Sequence, residues 1–133
     1  MGRESTAAVF WVRPHFFVAD VAASVSYYCE QLGFAKAWVH GDESPIVAQV
    51  GRAELDIILD RGSVLPGAGV PSVVGMVLHQ PEQLGRLYRE MKDRGAKISA
   101  EPFKVVWQEG VYQFDVQDLD GNTLMFCGDK PEE

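Results

Sequence analysis

An α+β fold made of two tandem βαβββ modules is predicted for this 133-residue chain, and three observations predict it. Short apolar runs alternate with a period of about two, two helical windows repeat with a period of about 3.6, and the order strand, helix, strand, strand, strand occurs twice. One domain spanning residues 1–133 is expected, with module one at about 9–60, a Gly/Pro-rich linker at 61–71 and module two at about 72–128.

The first module opens with an apolar strand over 9–18. Asp20 then stands where an N-cap belongs, and Val21, Val25, Tyr28 and Leu32 form one apolar helix face that Gly33 terminates. Strands follow at 35–40, 45–50 and 53–60, the last two joined by a turn at Gly51-Arg52. In the second module a strand over 73–78 precedes a helix opening at Pro81, with Leu84, Leu87, Tyr88 and Met91 on one face and Gly95 at its end. Strands near 97–100, 111–117 and 122–127 complete the repeat, and the turn at Asp118 takes the place of Gly51-Arg52.

Composition narrows the function classes. Hydrophobic content of 47% with 11% aromatics is that of a globular chain with a proper core. A net charge of -7, with no Lys/Arg stripe, argues against nucleic acid as a partner. The same charge suits a cationic ligand, or simply keeps the chain soluble. Cys29 and Cys127 fit no CxxC pattern or disulfide framework and are read as reduced, packed thiols. Neither a signal peptide nor a run of about 20 apolar residues is recognisable, so a cytoplasmic protein with no membrane partner is expected.

The stretch Asp118-Leu-Asp-Gly-Asn-Thr-Leu-Met-Phe126 couples a tight polar turn to an apolar strand. It resembles the DPDGN turn and following strand of the vicinal oxygen chelate superfamily, which includes glyoxalase I, extradiol dioxygenases and bleomycin resistance proteins. Leu119 replaces the Pro, and Met125 replaces the metal-ligand Glu. In module one, Asp20-Val-Ala-Ala-Ser-Val-Ser-Tyr-Tyr-Cys-Glu-Gln-Leu-Gly-Phe34 is similar to the DVxxSVxFYxxxLGF helix common in the bleomycin resistance branch. The resemblance implies an open, curled mixed sheet with helices outside, and a homodimer with ligand crevices at the subunit interface. Residues 1–8 are a candidate arm exchanged between subunits.

Strand parity sorts side chains into a helix face and a cavity face. Arg13 lies seven residues before Asp20, the spacing of the family's first metal ligand. Taken as inward, it brings Trp11, His15 and Phe17 with it and sends Phe10, Val12, Phe16 and Val18 to the helices. By the same logic Leu55, Ile57, Leu59, Tyr112, Phe114, Val116, Leu124 and Phe126 are core. Glu54, Asp56, Ile58, Gln113, Asp115 and Met125 then line the cavity, with Trp38, His40 and Trp107 as contributors. Such a cavity could hold a cationic, planar ligand, or its carboxylates and aromatics could be a solvated face with gap fillers.

Metal enzymes of the family need His, Gln or Glu at four inward positions. Three of them are occupied here by Arg13, Met76 and Met125, which leaves Asp56 or Glu54 alone at the fourth. His15 is read as cavity-lining, His40 as solvated, and His79 as exposed or capping the second helix. No GxSxG elbow or phosphate loop is present. Asp56 and Asp115 could form a carboxylate pair, although no acid/base role is assigned to them. The reading that results is metal-independent binding and sequestration of a small cationic aromatic ligand, similar to bleomycin resistance proteins, with no cofactor. The ligand-binding set is Trp11, Arg13, His15, Phe17, Trp38, Glu54, Asp56, Trp107, Gln113, Asp115 and Met125. The alternative is a glyoxalase-like lyase or dioxygenase that holds a divalent metal through His15, Asp56 and a shifted His79.

Overall fold

The computed structural model of the chain describes residue 8, residues 10–62 and residues 70–132. Module one contains β1 (His15–Phe17), α1 (Val21–Glu30), β2 (Ala35–His40), β3 (Val47–Arg52) and β4 (Leu55–Asp60). Module two contains β5 (Val73–Val77), a short 3-10 turn (Pro81–Gln83) running into α2 (Leu84–Asp93), β6 (Lys97–Lys104), β7 (Tyr112–Gln117) and β8 (Thr123–Gly128). The sheet orders are β1-β4-β3-β2 and β5-β8-β7-β6, so the doubled βαβββ order read from the sequence is the order of the fold. In each module the first strand pairs parallel to the last, and the remaining pairs are antiparallel. The mixed sheet expected from the paired modules is present as one four-stranded mixed sheet per module, with no ladder joining the two among the described residues.

Local chemistry explains the helices. The Asp20 carboxylate accepts the Ala23 N–H at 3.0 Å, satisfying one of the free amides that open α1. Gly33 follows α1 at φ 75°, a left-handed turn that a side chain resists, and a Cβ there would also collide with the Arg52 guanidinium. Helix α1 buries Val21, Tyr27 and Tyr28, and α2 buries Leu84 and Met91, in one core with Phe16, Ile57, Leu59, Phe114 and Leu124. Each large apolar side chain in that core contributes about 1.5–3 kcal/mol through burial.

Four sequence expectations about the strands need correction. Of the described residues in the strand expected over 9–18, only His15–Phe17 is paired; Phe10 and Val12, assigned to the helix face, are exposed, and the ladder with β4 stops at Pro14, which has no amide hydrogen to donate. The β3–β4 turn lies at Ala53-Glu54 rather than Gly51-Arg52, since Arg52 pairs with Leu55. Strand β6 extends to Lys104, past the expected 97–100, with two register irregularities that absorb the extra residues. Met76 faces the helix side, because it pairs with Phe126 and packs on the core; its neighbour Gly75 faces the other way and pairs with Met125.

The modules are fastened at the turn that identifies the family resemblance. Asp118 is 1% exposed, and its carboxylate accepts four hydrogen bonds at 2.9 Å. The donors are the amides of Asp120 and Asn122, the Asn122 side-chain amide, and the hydroxyl of Tyr28 from α1 of the other module. Asn122 also donates to the Phe17 carbonyl and accepts the Ser72 amide, and Asp120 accepts the Ala19 amide. Tyr27 adds a second tie: its hydroxyl donates to the Gln117 carbonyl and accepts the Lys97 amide. A buried carboxylate this fully bonded is stable where it sits, and removing a partner leaves it short of a donor.

Burial and the adjacent Asp118 charge push the Tyr28 hydroxyl well above its ordinary pKa of 10.0. Its contribution to stability is therefore complete below about pH 10 and is lost as pH rises through the folded-state value. Tyr28→Phe is expected to lower unfolding free energy by about 1–3 kcal/mol at neutral pH and to remove the Tyr28 share of the alkaline loss, as read by urea titration at several pH values. Ala53, exposed at φ 53°, holds a left-handed conformation that glycine adopts freely. Ala53→Gly is expected to raise stability by up to about 1 kcal/mol in the same assay.

Candidate functional site

Each sheet has one face covered by helix and core and one face turned away from them. Pairing register sorts the side chains: in module one, His15 and Phe17 of β1 lie beside Ile58 and Asp60 of β4, and Gln49 of β3 lies between Ile58 and Trp38. His15, Phe17, Trp38, His40, Asp56, Ile58 and Asp60 therefore share this open face. Arg13, just before β1, reaches the same face by donating to the Gln49 side-chain oxygen at 3.0 Å. In module two, Gln113, Asp115, Met125 and Cys127 share the corresponding face, and the Met125 methyl group covers Gly75.

The centre of the first open face is a His–Asp pair. Asp60 is 1% exposed, and its carboxylate meets His15 Nε2 at 3.0 Å while accepting the Gly62 amide at 2.9 Å. Phe17 lies against the imidazole, with ring centroids 5.3 Å apart. The ring is thus fixed through Nε2, leaving its other nitrogen and one ring face for a ligand. Asp60 was missed in the sequence reading, although it continues the alternation through Asp56 and Ile58. Its position as the last strand residue before a polar linker concealed it.

Other expected site residues fall elsewhere. Glu54 is not on the open face: it sits in the β3–β4 turn, largely exposed, with its carboxylate 2.7 Å from His79 Nε2. Trp11 and Trp107 are both exposed, the first in unpaired chain before β1 and the second in the loop between β6 and β7. Ile58 lies on the open face yet is 4% exposed, covered by its neighbours. Asp115 accepts the Gln113 side-chain amide at 2.8 Å, and Asp56 belongs to the other sheet beside Gly51, so the expected carboxylate pair does not form. His15, Asp56 and His79 likewise do not converge, because His79 is held at the module junction by Glu54. Among the described residues no three His, Cys, Asp or Glu side chains form a group that could hold a metal ion. Burial raises the Cys127 thiol above its ordinary range, with Asp115 adding to the shift, so it stays protonated near neutral pH.

A profile of the Glyoxalase/Bleomycin resistance protein/Dioxygenase superfamily matches residues 10–126, which takes in both modules and both open faces. The chain belongs to this superfamily. Solved structures share the superfamily's fold with it at low identity. TioX from Micromonospora sp. ML1 superimposes with a TM-score of 0.74 at 15% identity, covering 90% of this chain and 100% of that one. A glyoxalase/bleomycin resistance protein/dioxygenase from Alicyclobacillus acidocaldarius gives 0.71 at 15%, covering 87% and 88%. A glyoxalase-related enzyme from Clostridium phytofermentans gives 0.71 at 21%, covering 96% and 100%. A search of curated proteins finds no match. No helix among the described residues is long and apolar enough to cross a membrane.

Away from the open faces, the two modules meet at a second junction. Arg52 donates to both Glu90 carboxylate oxygens, at 2.8 and 2.9 Å, and to the Leu32 carbonyl at 2.7 Å. Arg94 approaches the same carboxylate at 3.2 Å. The Arg52 hydrogen bonds hold the Glu90 carboxyl below its ordinary range, with burial opposing and the nearby guanidinium charges assisting. Its stabilising contribution is therefore present above about pH 4.5 and is lost as pH falls through the lowered folded-state value. The melting-temperature gap between the native chain and Glu90→Gln is expected to be constant above about pH 5 and to close on further acidification.

Proposed function

We propose that this superfamily member binds a small cationic aromatic ligand without metal chemistry, in the manner of bleomycin resistance proteins, on the open face of its first sheet. The observation that carries this reading is the grouping of Phe17 and Trp38 with the Asp56 carboxylate and with His15, which the buried Asp60 holds in place, on one face. Aromatic faces stack on planar groups and attract cations, and carboxylates pair with amines or guanidines. By the family resemblance Arg13 stands at the first metal-ligand position, and His15 lies one inward step past it. Arg13 carries a positive charge that repels a metal ion, and His15 already commits Nε2 to Asp60.

The open face of the second sheet supports the other half of the proposal, a homodimer whose second copy completes the crevice. Val73 and Val77 of β5 are exposed on that face, and Phe103 of β6 is exposed beside Gln113. Apolar side chains grouped in this way favour a protein partner over water. A dimer that covered them would bring Gln113, Asp115 and Met125 to the ligand.

Thermal denaturation with bleomycin and a set of cationic aromatic compounds tests the binding reading, since a bound ligand raises the melting temperature by mass action. A rise that persists in EDTA is expected, with affinity falling roughly tenfold in Trp38→Ala if the stack contributes about 1.4 kcal/mol. A rise that EDTA abolishes, or no rise with any cationic compound, would contradict it. Sedimentation velocity checks the dimer, which Val77→Glu is expected to dissociate.

A further inference from the structure

The two module junctions are related by the internal repeat, yet one is closed and the other is a cleft. At the closed junction the β7–β8 turn meets α1 and the chain just after β1: Asp118 binds Tyr28, and Asp120 binds the Ala19 amide. At the repeat-related place the β3–β4 turn meets α2 and the chain just after β5: Arg52 binds Glu90, and Glu54 meets His79. Ala19 and His79 each lie two residues beyond their strand, so the correspondence is positional. The first junction is solid with Asp118, Asn122 and Tyr28, all at most 1% exposed. The second encloses about 750 Å³, a volume suited to a small organic molecule.

The chemistry of this cleft differs from that of the open faces. Its apolar lining comes from Phe34, Leu55, Met76, Leu78, Leu87 and Phe126. Both carboxylates in its wall are engaged, Glu90 by Arg52 and Arg94, and Glu54 by His79. Arg86 also lines the cleft from the exposed side of α2 and has no carboxylate partner among the described residues, and Gln80 and Gln83 line the same cleft. A guanidinium free to make a two-pronged bond, set above an apolar floor, selects a monoanion with a flat or branched hydrocarbon body.

We infer that the junction between the β3–β4 turn and α2 is a second ligand site, which takes small apolar-bodied monoanions, carboxylates or sulfonates, with Arg86 as the anchoring cation. The site shares Val77 with the exposed face of the second sheet and no residue with the open face of the first, where the cationic ligand is proposed to bind. A ligand bridging the turn and α2 fills the space that Tyr28 and Asn122 fill at the other junction, and so links occupancy of the cleft to the relative hold of the two modules.

The test uses two dyes with the same aromatic framework: 8-anilinonaphthalene-1-sulfonate, an anion, and N-phenyl-1-naphthylamine, which is neutral. Dissociation constants are measured by fluorescence for the native chain and for three variants, each first shown to melt within a few degrees of it. Arg86→Gln is expected to weaken the sulfonate about tenfold and to leave the neutral dye within twofold. Gln83→Trp, which puts an indole into the cleft mouth, is expected to weaken both dyes at least tenfold, and Phe103→Ala on the second sheet to change neither. Sulfonate affinity unchanged in Arg86→Gln, either dye unaffected by Gln83→Trp, or loss of either dye in Phe103→Ala would overturn the assignment. Failure of bleomycin binding in Trp38→Ala bears on the open face alone and leaves this result standing.

Discussion

The carboxylate of Asp118 is the constraint on which the arrangement of the two modules depends. A buried anion is tolerable only when its lone pairs are taken up, and here two are satisfied by the turn's own backbone, one by Asn122 and one by Tyr28 from the other module. The turn and the inter-module contact are consequently one structure. Bending the chain through Leu119-Asp120-Gly121 aims the amides at Asp118, and the same bend delivers Asn122 to the Phe17 carbonyl and the Ser72 amide. Strand β1, only three residues long, is thereby tied at its end as well as along β4. That tie fixes the strand carrying His15 and Phe17.

The open face follows from this anchoring. His15 and Phe17 project from β1 toward Asp60 because parallel pairing with β4 puts Phe17 beside Asp60 and His15 beside Ile58. Asp60 then finds in His15 and the Gly62 amide the partners that its burial requires. A ligand meeting this face finds an imidazole of fixed orientation, an aromatic ring against it and the Asp56 carboxylate on the same face, a preorganised arrangement that needs little ordering on binding. The junction on the opposite hairpin is built differently. A half-buried ion pair stands where the first has a fully buried network, and long side chains around an unfilled space allow a cleft that Tyr28 and Asn122 deny to its counterpart.

Much of this was legible in the sequence, and what was not has identifiable physical causes. The turn at Asp118 and the helix from Asp20 to Gly33 are encoded locally, by capping, by residues that tolerate tight turns and by helical periodicity, so the doubled βαβββ order could be read directly. Parity arguments worked inside the six-residue strands β4, β7 and β8, where Ile57, Leu59, Phe114, Val116 and Leu124 all bury as alternation requires. They failed where the register is set by a tertiary partner. Glu54 was assigned to a strand because nothing local announces a turn at Ala53, whose left-handed backbone is imposed by Arg52 pairing with Leu55. Met76 was placed one residue out of phase because the short run over 73–78 is apolar on both faces and carries no alternation. Asp60, Gln49 and the Arg52–Glu90 pair are products of distance in sequence, visible only once β1, β3 and α2 are in place.

The claim that one turn holds both modules is tested most directly by native-state hydrogen exchange at the amides of Asp120 and Asn122, which donate to Asp118. If the network is the fastening between modules, the Asn122 amide exchanges only through global unfolding, with an opening free energy within about 1 kcal/mol of the value from urea denaturation. Exchange through an opening several kcal/mol less costly, with the β3 and β4 amides still protected, would show that the modules part at this turn while each stays folded, and would contradict the account.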